Sequence, residues 1–132
     1  MKSLKQMLAE ANAVVENVTA DQAIPLLGDP EVVFIDLRDS SELLGEGLIP
    51  GSVHVNRGAL EFMIDADSPY HNPVFASGKR LLFYCAGGGR SALAASTAKA
   101  MGLANVAHLA GGFRGWKTAG GPVAAKAEQA SA

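Results

Sequence analysis

The chain has one cysteine, Cys85, so no internal disulfide can form and stability must come from packing. Its three histidines, His54, His71 and His108, are isolated from Cys85 and from one another in sequence, which gives no metal-ligand spacing. No metal is expected. Charge is scarce as well: 18% of residues are charged, the net charge is −2, and no basic patch or long charge run occurs. This excludes the electrostatic footprint of a nucleic-acid binder. No apolar run approaches the roughly 20 residues of a helical membrane span. Lys2, Lys5 and Glu10 interrupt the N-terminal stretch where an export signal needs an unbroken apolar core. The expectation is a reducing, cytoplasmic setting with no membrane contact.

What is present reads as a globular protein. With 132 residues, 48% of them hydrophobic, the chain suits one domain that removes roughly two-thirds of its unfolded surface from water. Residues 3–16 place Leu4, Met7, Leu8, Ala11, Val14 and Val15 at helical spacing behind a Ser3/Gln6 capping box. This amphipathic extension, residues 1–18, packs on its own domain or on a second copy, which makes a homodimer a candidate assembly. Thr19 and Gln22 repeat the cap ahead of a short helix over 20–27, in which Pro25 is an awkward fit. Continuous apolar runs over 32–36 and 81–84 read as strands covered on both faces. Shorter strands are expected over 53–55 and 106–109, and helices over 57–64, 91–101 and 112–119. Residues 124–132 have little to bury and read as a frayed tail. Strands alternating with helices, without hairpin signals, predict a three-layer α/β/α domain over 19–123 with a mostly parallel sheet of about five strands.

The chemistry concentrates in Cys85-Ala86-Gly87-Gly88-Gly89-Arg90-Ser91, between an apolar strand and an Ala-rich helix. A loop entering a helix directs unpaired N–H groups and the positive end of the dipole at its own centre. The glycines let a small anion approach the backbone, and Arg90 adds a cation. A thiol there is expected to favour its thiolate. The alternatives are a lone cysteine acting as a small buried hydrophobe, and a glycine-rich turn serving packing or a nucleotide phosphate. The nucleotide reading lacks a Lys-Ser/Thr pair or a GxGxxG.

Several stretches together resemble the rhodanese-type sulfurtransferases. These are the Cys85-to-Arg90 loop; Val33-Phe34-Ile35-Asp36-Leu37-Arg38 with its Asp-x-Arg end; Glu42; Gly47-Leu48-Ile49-Pro50-Gly51-Ser52; Leu109-Ala110-Gly111-Gly112-Phe113 with Trp116; and Gly120-Gly121-Pro122-Val123. They follow the family's order from about Thr19 to Val123. Leu48 departs from it, standing where a histidine is usual.

The resemblance implies the same α/β/α fold and a catalytic Cys85 that takes a sulfane sulfur as a persulfide. The donor would be an anion such as thiosulfate, the acceptor cyanide, a thiol or a protein, and no cofactor is implied. Arg90 is the expected catalytic cation, with Ala86, Gly87, Gly88, Gly89 and Ser91 forming the substrate-binding loop. Four residues separate Cys85 from Arg90, where related phosphatases and arsenate reductases carry five in a wider cradle. A persulfide carrier or binding module without turnover is the rival of another class.

Asp36, Arg38 and Glu42 are expected near the loop, because ligands collect beyond the carboxyl ends of parallel strands. They would either support the loop or form a purely structural ion-pair network. Residues 65–77 form a long polar segment, a candidate lid, and Arg57, Tyr70 and His71 are candidate rim residues or plain solvated positions.

Overall fold

The computed structural model describes residues 1–126 of the chain. Helix α1 (Leu4–Val14) leads into strand β1 (Glu16–Val18), then α2 (Ala20–Ala23), β2 (Val32–Asp36), α3 (Ser40–Glu46) and β3 (Val53–His54). Helix α4 (Leu60–Ile64), β4 (Arg80–Tyr84), α5 (Gly89–Ala100), β5 (Val106–Leu109) and α6 (Gly112–Thr118) complete the order. The five strands make one sheet in the order β1-β5-β4-β2-β3, with every pairing parallel. This is the three-layer α/β architecture expected. No helix among the described residues is long and apolar enough to cross a membrane.

Alternation along β4 explains the layers. Leu81 and Phe83 face a core built with α4 and the alanines Ala94, Ala95 and Ala98 of α5, whereas Leu82 and Tyr84 face a core with Phe113 and Trp116 of α6. Successive strand residues point to opposite faces, so an unbroken apolar run is what a doubly covered strand requires. Phe34 meets Trp116 edge-on at 5.6 Å, and the Trp116 indole N–H donates to the Pro122 carbonyl at 2.7 Å.

Two sequence expectations change, and one helix has no counterpart among them. Glu16 is not helical: α1 stops at Val14 and residues 16–18 cross to pair with β5, forming an edge strand too short to show a periodic signal. Pro25 does not break a helix, because it sits in the first turn of a separate 3₁₀ turn, Ile24–Leu26, where its missing N–H costs no bond. Ser40–Glu46 forms α3 behind a capping box in which Asp39 accepts from the Glu42 N–H and Glu42 accepts from the Asp39 N–H.

Helix α1 docks on its own domain, along α5, where the Lys99 ammonium reaches the Val14 carbonyl at 2.6 Å. At the other terminus Ala124 exchanges two backbone hydrogen bonds with Leu48, so the chain is still paired where the tail was expected to begin. The rest of that expectation, residues 127–132, lies outside the described residues.

Candidate active site

Parallel strands deliver their carboxyl ends to one edge, and β2 and β4 are neighbours with Asp36 opposite Tyr84. Cys85 therefore leaves the sheet beside Leu37 and Arg38. Its thiol is 1% exposed and lies at the floor of the loop. The Gly88 N–H donates to Sγ at 3.1 Å, and Sγ lies 3.6 Å from the Ser91 hydroxyl. Gly88 caps α5 with φ +109°, a left-handed conformation that glycine adopts without strain. The strand end thus places a sulfur directly beneath the first turn of a twelve-residue helix, where N–H groups without intrahelical partners converge.

The loop is also held from the side of α6. The Phe113 N–H donates to the Cys85 carbonyl at 2.8 Å and the Arg114 N–H to the Ala86 carbonyl at 3.1 Å. A Cβ on Gly112, at φ +62°, would lie 2.5 Å from the Ala86 oxygen and 2.7 Å from the Cys85 oxygen. Only a bare α-carbon fits between these two segments.

Asp36, Arg38 and Glu42 are gathered at the loop as two ion pairs. Asp36 accepts from Nε and Nη2 of Arg38 at 3.0 and 2.7 Å and from the Tyr84 hydroxyl at 2.7 Å. Burial opposes the Arg38 charge, but Asp36 outweighs it and holds the guanidinium protonated. Burial, aided by the Asp36 charge, pushes the Tyr84 phenol upward, so it remains a donor. The Arg38 guanidinium also covers the Phe113 ring at 4.4 Å.

Glu42 takes both Nη atoms of Arg90 at 2.8 and 3.0 Å. Hydrogen bonding from Arg90 lowers the Glu42 carboxyl to about 2, and the same pair raises Arg90 further above its ordinary value. Arg90 is thus a braced cation rather than a free one.

Sequence reasoning missed two further cations. A depression of about 260 Å³ is lined by Ala86, Arg38, Glu42, Glu46, Phe113, Arg114 and Lys117. The Arg114 guanidinium would lie 3.4 Å from a Cβ on Gly87, so it flanks the loop across the glycine. Lys117 pairs with Glu46 at 2.7 Å; among the described residues no carboxylate forms an ion pair with Arg114. The signal was available: an Arg one residue past Gly-Gly-Phe, in a helix that begins at the sheet's carboxyl edge.

Arg57, Tyr70 and His71 are not brought to the loop. Arg57 pairs with Glu61 and borders α1 and the flank of α5; Tyr70 meets Phe62 edge-on; His71 bonds the Met63 carbonyl and lines a depression with Met101 and Leu103. Residues 65–77 feed β4, whose first residue lies at the amino edge of the sheet, and Phe75 anchors them in the core against Phe83. That edge is opposite the one carrying Cys85.

Residues 19–119 match the rhodanese-like domain model. The chain belongs to the rhodanese family. It is 32% identical over 108 residues to a mouse thiosulfate sulfurtransferase/rhodanese-like domain-containing protein 3, covering 78% of this chain and 69% of that protein. It is 31% identical over 98 residues to the thiosulfate:glutathione sulfurtransferase of Saccharomyces cerevisiae, covering 70% of each. A solved structure from Rhodopseudomonas palustris superposes with a TM-score of 0.92 at 51% identity, over 94% of this chain and 96% of that one. It is described as a protein of unknown function and a possible tyrosine phosphatase. The rhodanese match begins after α1 and β1.

Proposed function

We propose that this rhodanese-family chain is a sulfurtransferase in which Cys85 carries a sulfane sulfur between an anionic donor of the thiosulfate class and a thiol acceptor. The observation that carries this reading is the position of Sγ: it accepts the Gly88 N–H at 3.1 Å under the α5 N-terminus, in a loop closed by the braced Arg90. In the first half-reaction the Cys85 thiolate bonds to the outer sulfur of the donor. The donor's S–S bond breaks with its electron pair on the departing sulfite, and the loop N–H groups stabilise the persulfide anion. In the second, an acceptor thiolate bonds to that outer sulfur and Cys85 departs with the bond pair. In the depression above Ala86, where Arg38 is paired with Asp36 and Lys117 with Glu46, Arg114 supplies the positive charge that an anionic donor needs. The thiosulfate:glutathione activity named for the yeast relative supports a small thiol as acceptor.

The test is steady-state transfer from thiosulfate to glutathione. Parallel double-reciprocal lines, lost in Cys85→Ser, are expected. Equal turnover by Cys85→Ser would remove the cysteine from the mechanism.

One observation favours a second reading, namely the 51% identical structure described as a possible tyrosine phosphatase. Against it stands the loop, with four residues between Cys85 and Arg90. Cys85-dependent hydrolysis of an aryl phosphate, without sulfur transfer, would establish that alternative.

A further inference from the structure

His108 has neither Cys85 nor another histidine near it in sequence. In the fold it is 3% exposed and sits in β5 between β4 and β1, with Phe83 and Asn17 as its register neighbours. Its Nδ1 lies 3.0 Å from the Ser91 hydroxyl, which also lies 3.2 Å from the Gly88 carbonyl, a second acceptor, and 3.6 Å from Cys85 Sγ. Its Nε2 meets two amide oxygens, Asn12 Oδ1 of α1 at 3.0 Å and Asn17 Oδ1 of β1 at 2.8 Å. The orientation of both amides is fixed, because Asn12 Nδ2 donates to the Leu8 carbonyl and Asn17 Nδ2 to the Val15 carbonyl, each at 3.0 Å. Two acceptors facing Nε2 require its proton to stay there. Nδ1 is therefore the free acceptor, turned toward Ser91.

We propose that Ser91 and His108 form a proton relay for Cys85, and that α1 and β1, outside the rhodanese match, complete the site by holding His108 in the Nε2–H tautomer. The proposal rests on the sulfur-transfer reading for its purpose, though not for its geometry. As Cys85 ionises, its S–H proton passes to Ser91 Oγ while the Ser91 proton passes to Nδ1, leaving thiolate and imidazolium. When an acceptor thiolate takes the outer sulfur and Cys85 departs with the bond pair, the imidazolium returns its proton through Ser91. No net proton or electron is required. Ser91 touches the reacting sulfur and is catalytic; His108, Asn12 and Asn17 are positioning residues.

Burial lowers the proton affinity of His108, which keeps it neutral and able to accept at rest. The groups reaching His108 from α5, α1 and β1 are the neutral side chains of Ser91, Asn12 and Asn17. The charged groups beside the loop are Arg90, paired with Glu42, and Arg114 across Gly87. No described carboxylate forms an ion pair with His108.

The experiment follows Cys85 alkylation by iodoacetamide against pH in the full chain, which reads thiolate formation without any sulfur donor. Ser91→Ala and His108→Gln are expected to slow alkylation near neutral pH by about tenfold or more, with Ser91→Thr restoring it. Asn12→Asp, which gives Nε2 a carboxylate acceptor, is expected to speed alkylation and move its profile to lower pH, a gain that a purely structural role would not give. Unchanged profiles in Ser91→Ala and Asn12→Asp would overturn the relay. Because no sulfur is transferred in this assay, failure of the sulfur-transfer reading would appear separately, as normal alkylation without persulfide formation.

Discussion

Glu42 grips Arg90 through both terminal guanidinium nitrogens, at 2.8 and 3.0 Å, across 48 residues of sequence. Glu42 is at the same time the third residue of α3 and closes that helix's capping box through the Asp39 N–H. One carboxylate thus ties the start of α3 to the first turn of α5, and through it to the loop that carries Cys85. Glu42→Gln keeps the cap acceptor but loses the charge and one of the two strong bonds. Sulfur transfer is expected to fall about tenfold while the melting temperature changes little, measured by steady-state kinetics and calorimetry.

The same pair fixes an acid limit. The Glu42 carboxyl is lowered from 4.5 to about 2 by Arg90. A lowered carboxylate stabilises the fold fully above its unfolded value, and that contribution is lost as pH falls through the folded value. The pair's contribution to stability against denaturant should therefore hold down to about pH 4.5 and be lost toward pH 2. NMR titration of the Glu42 carboxyl checks the assignment; a midpoint at an ordinary carboxylate value would contradict the pairing in solution.

Arg114 is the cation flanking Gly87 that no carboxylate neutralises by an ion pair among the described residues. Arg114→Ala is expected to lower kcat/KM for thiosulfate about tenfold, mainly through KM, and to leave transfer from an uncharged persulfide donor nearly unchanged. Equal loss with both donors would assign Arg114 to the loop's shape rather than to its anion.

Gly112 lies against the carbonyls of Cys85 and Ala86 at a positive φ. Gly112→Ala introduces both strain and overlap, and a loss of about 2–4 kcal/mol is expected from the two together. Chemical denaturation measures it. Gly28→Ala, also at positive φ but with open space around its Cβ position, should lose only the strain part.

Much of the fold was legible because its strands are buried on both faces. An apolar run such as Val32–Asp36 or Arg80–Tyr84 carries its assignment in its composition, and the Cys85 loop was visible as strand, thiol, glycines and helix. Strand β1 was not legible, since three residues at a sheet edge, two of them exposed, give no period. The sequence shows Arg90 as the loop's cation, and its bracing by Glu42 depends on the tertiary position of α3. His108 and Arg114 were hidden for a different reason. Each joins the site through the parallel register of β5 or the start of α6, and such tertiary placements bring together residues that sequence separation keeps apart.

The most direct measurement is intact mass of wild type and Cys85→Ser after incubation with thiosulfate and removal of small molecules, without reductant. The account predicts a gain of one sulfur atom in the wild type alone, lost again on adding glutathione or cyanide. Absence of that adduct from wild type, or its equal appearance in Cys85→Ser, would contradict a persulfide carried on Cys85.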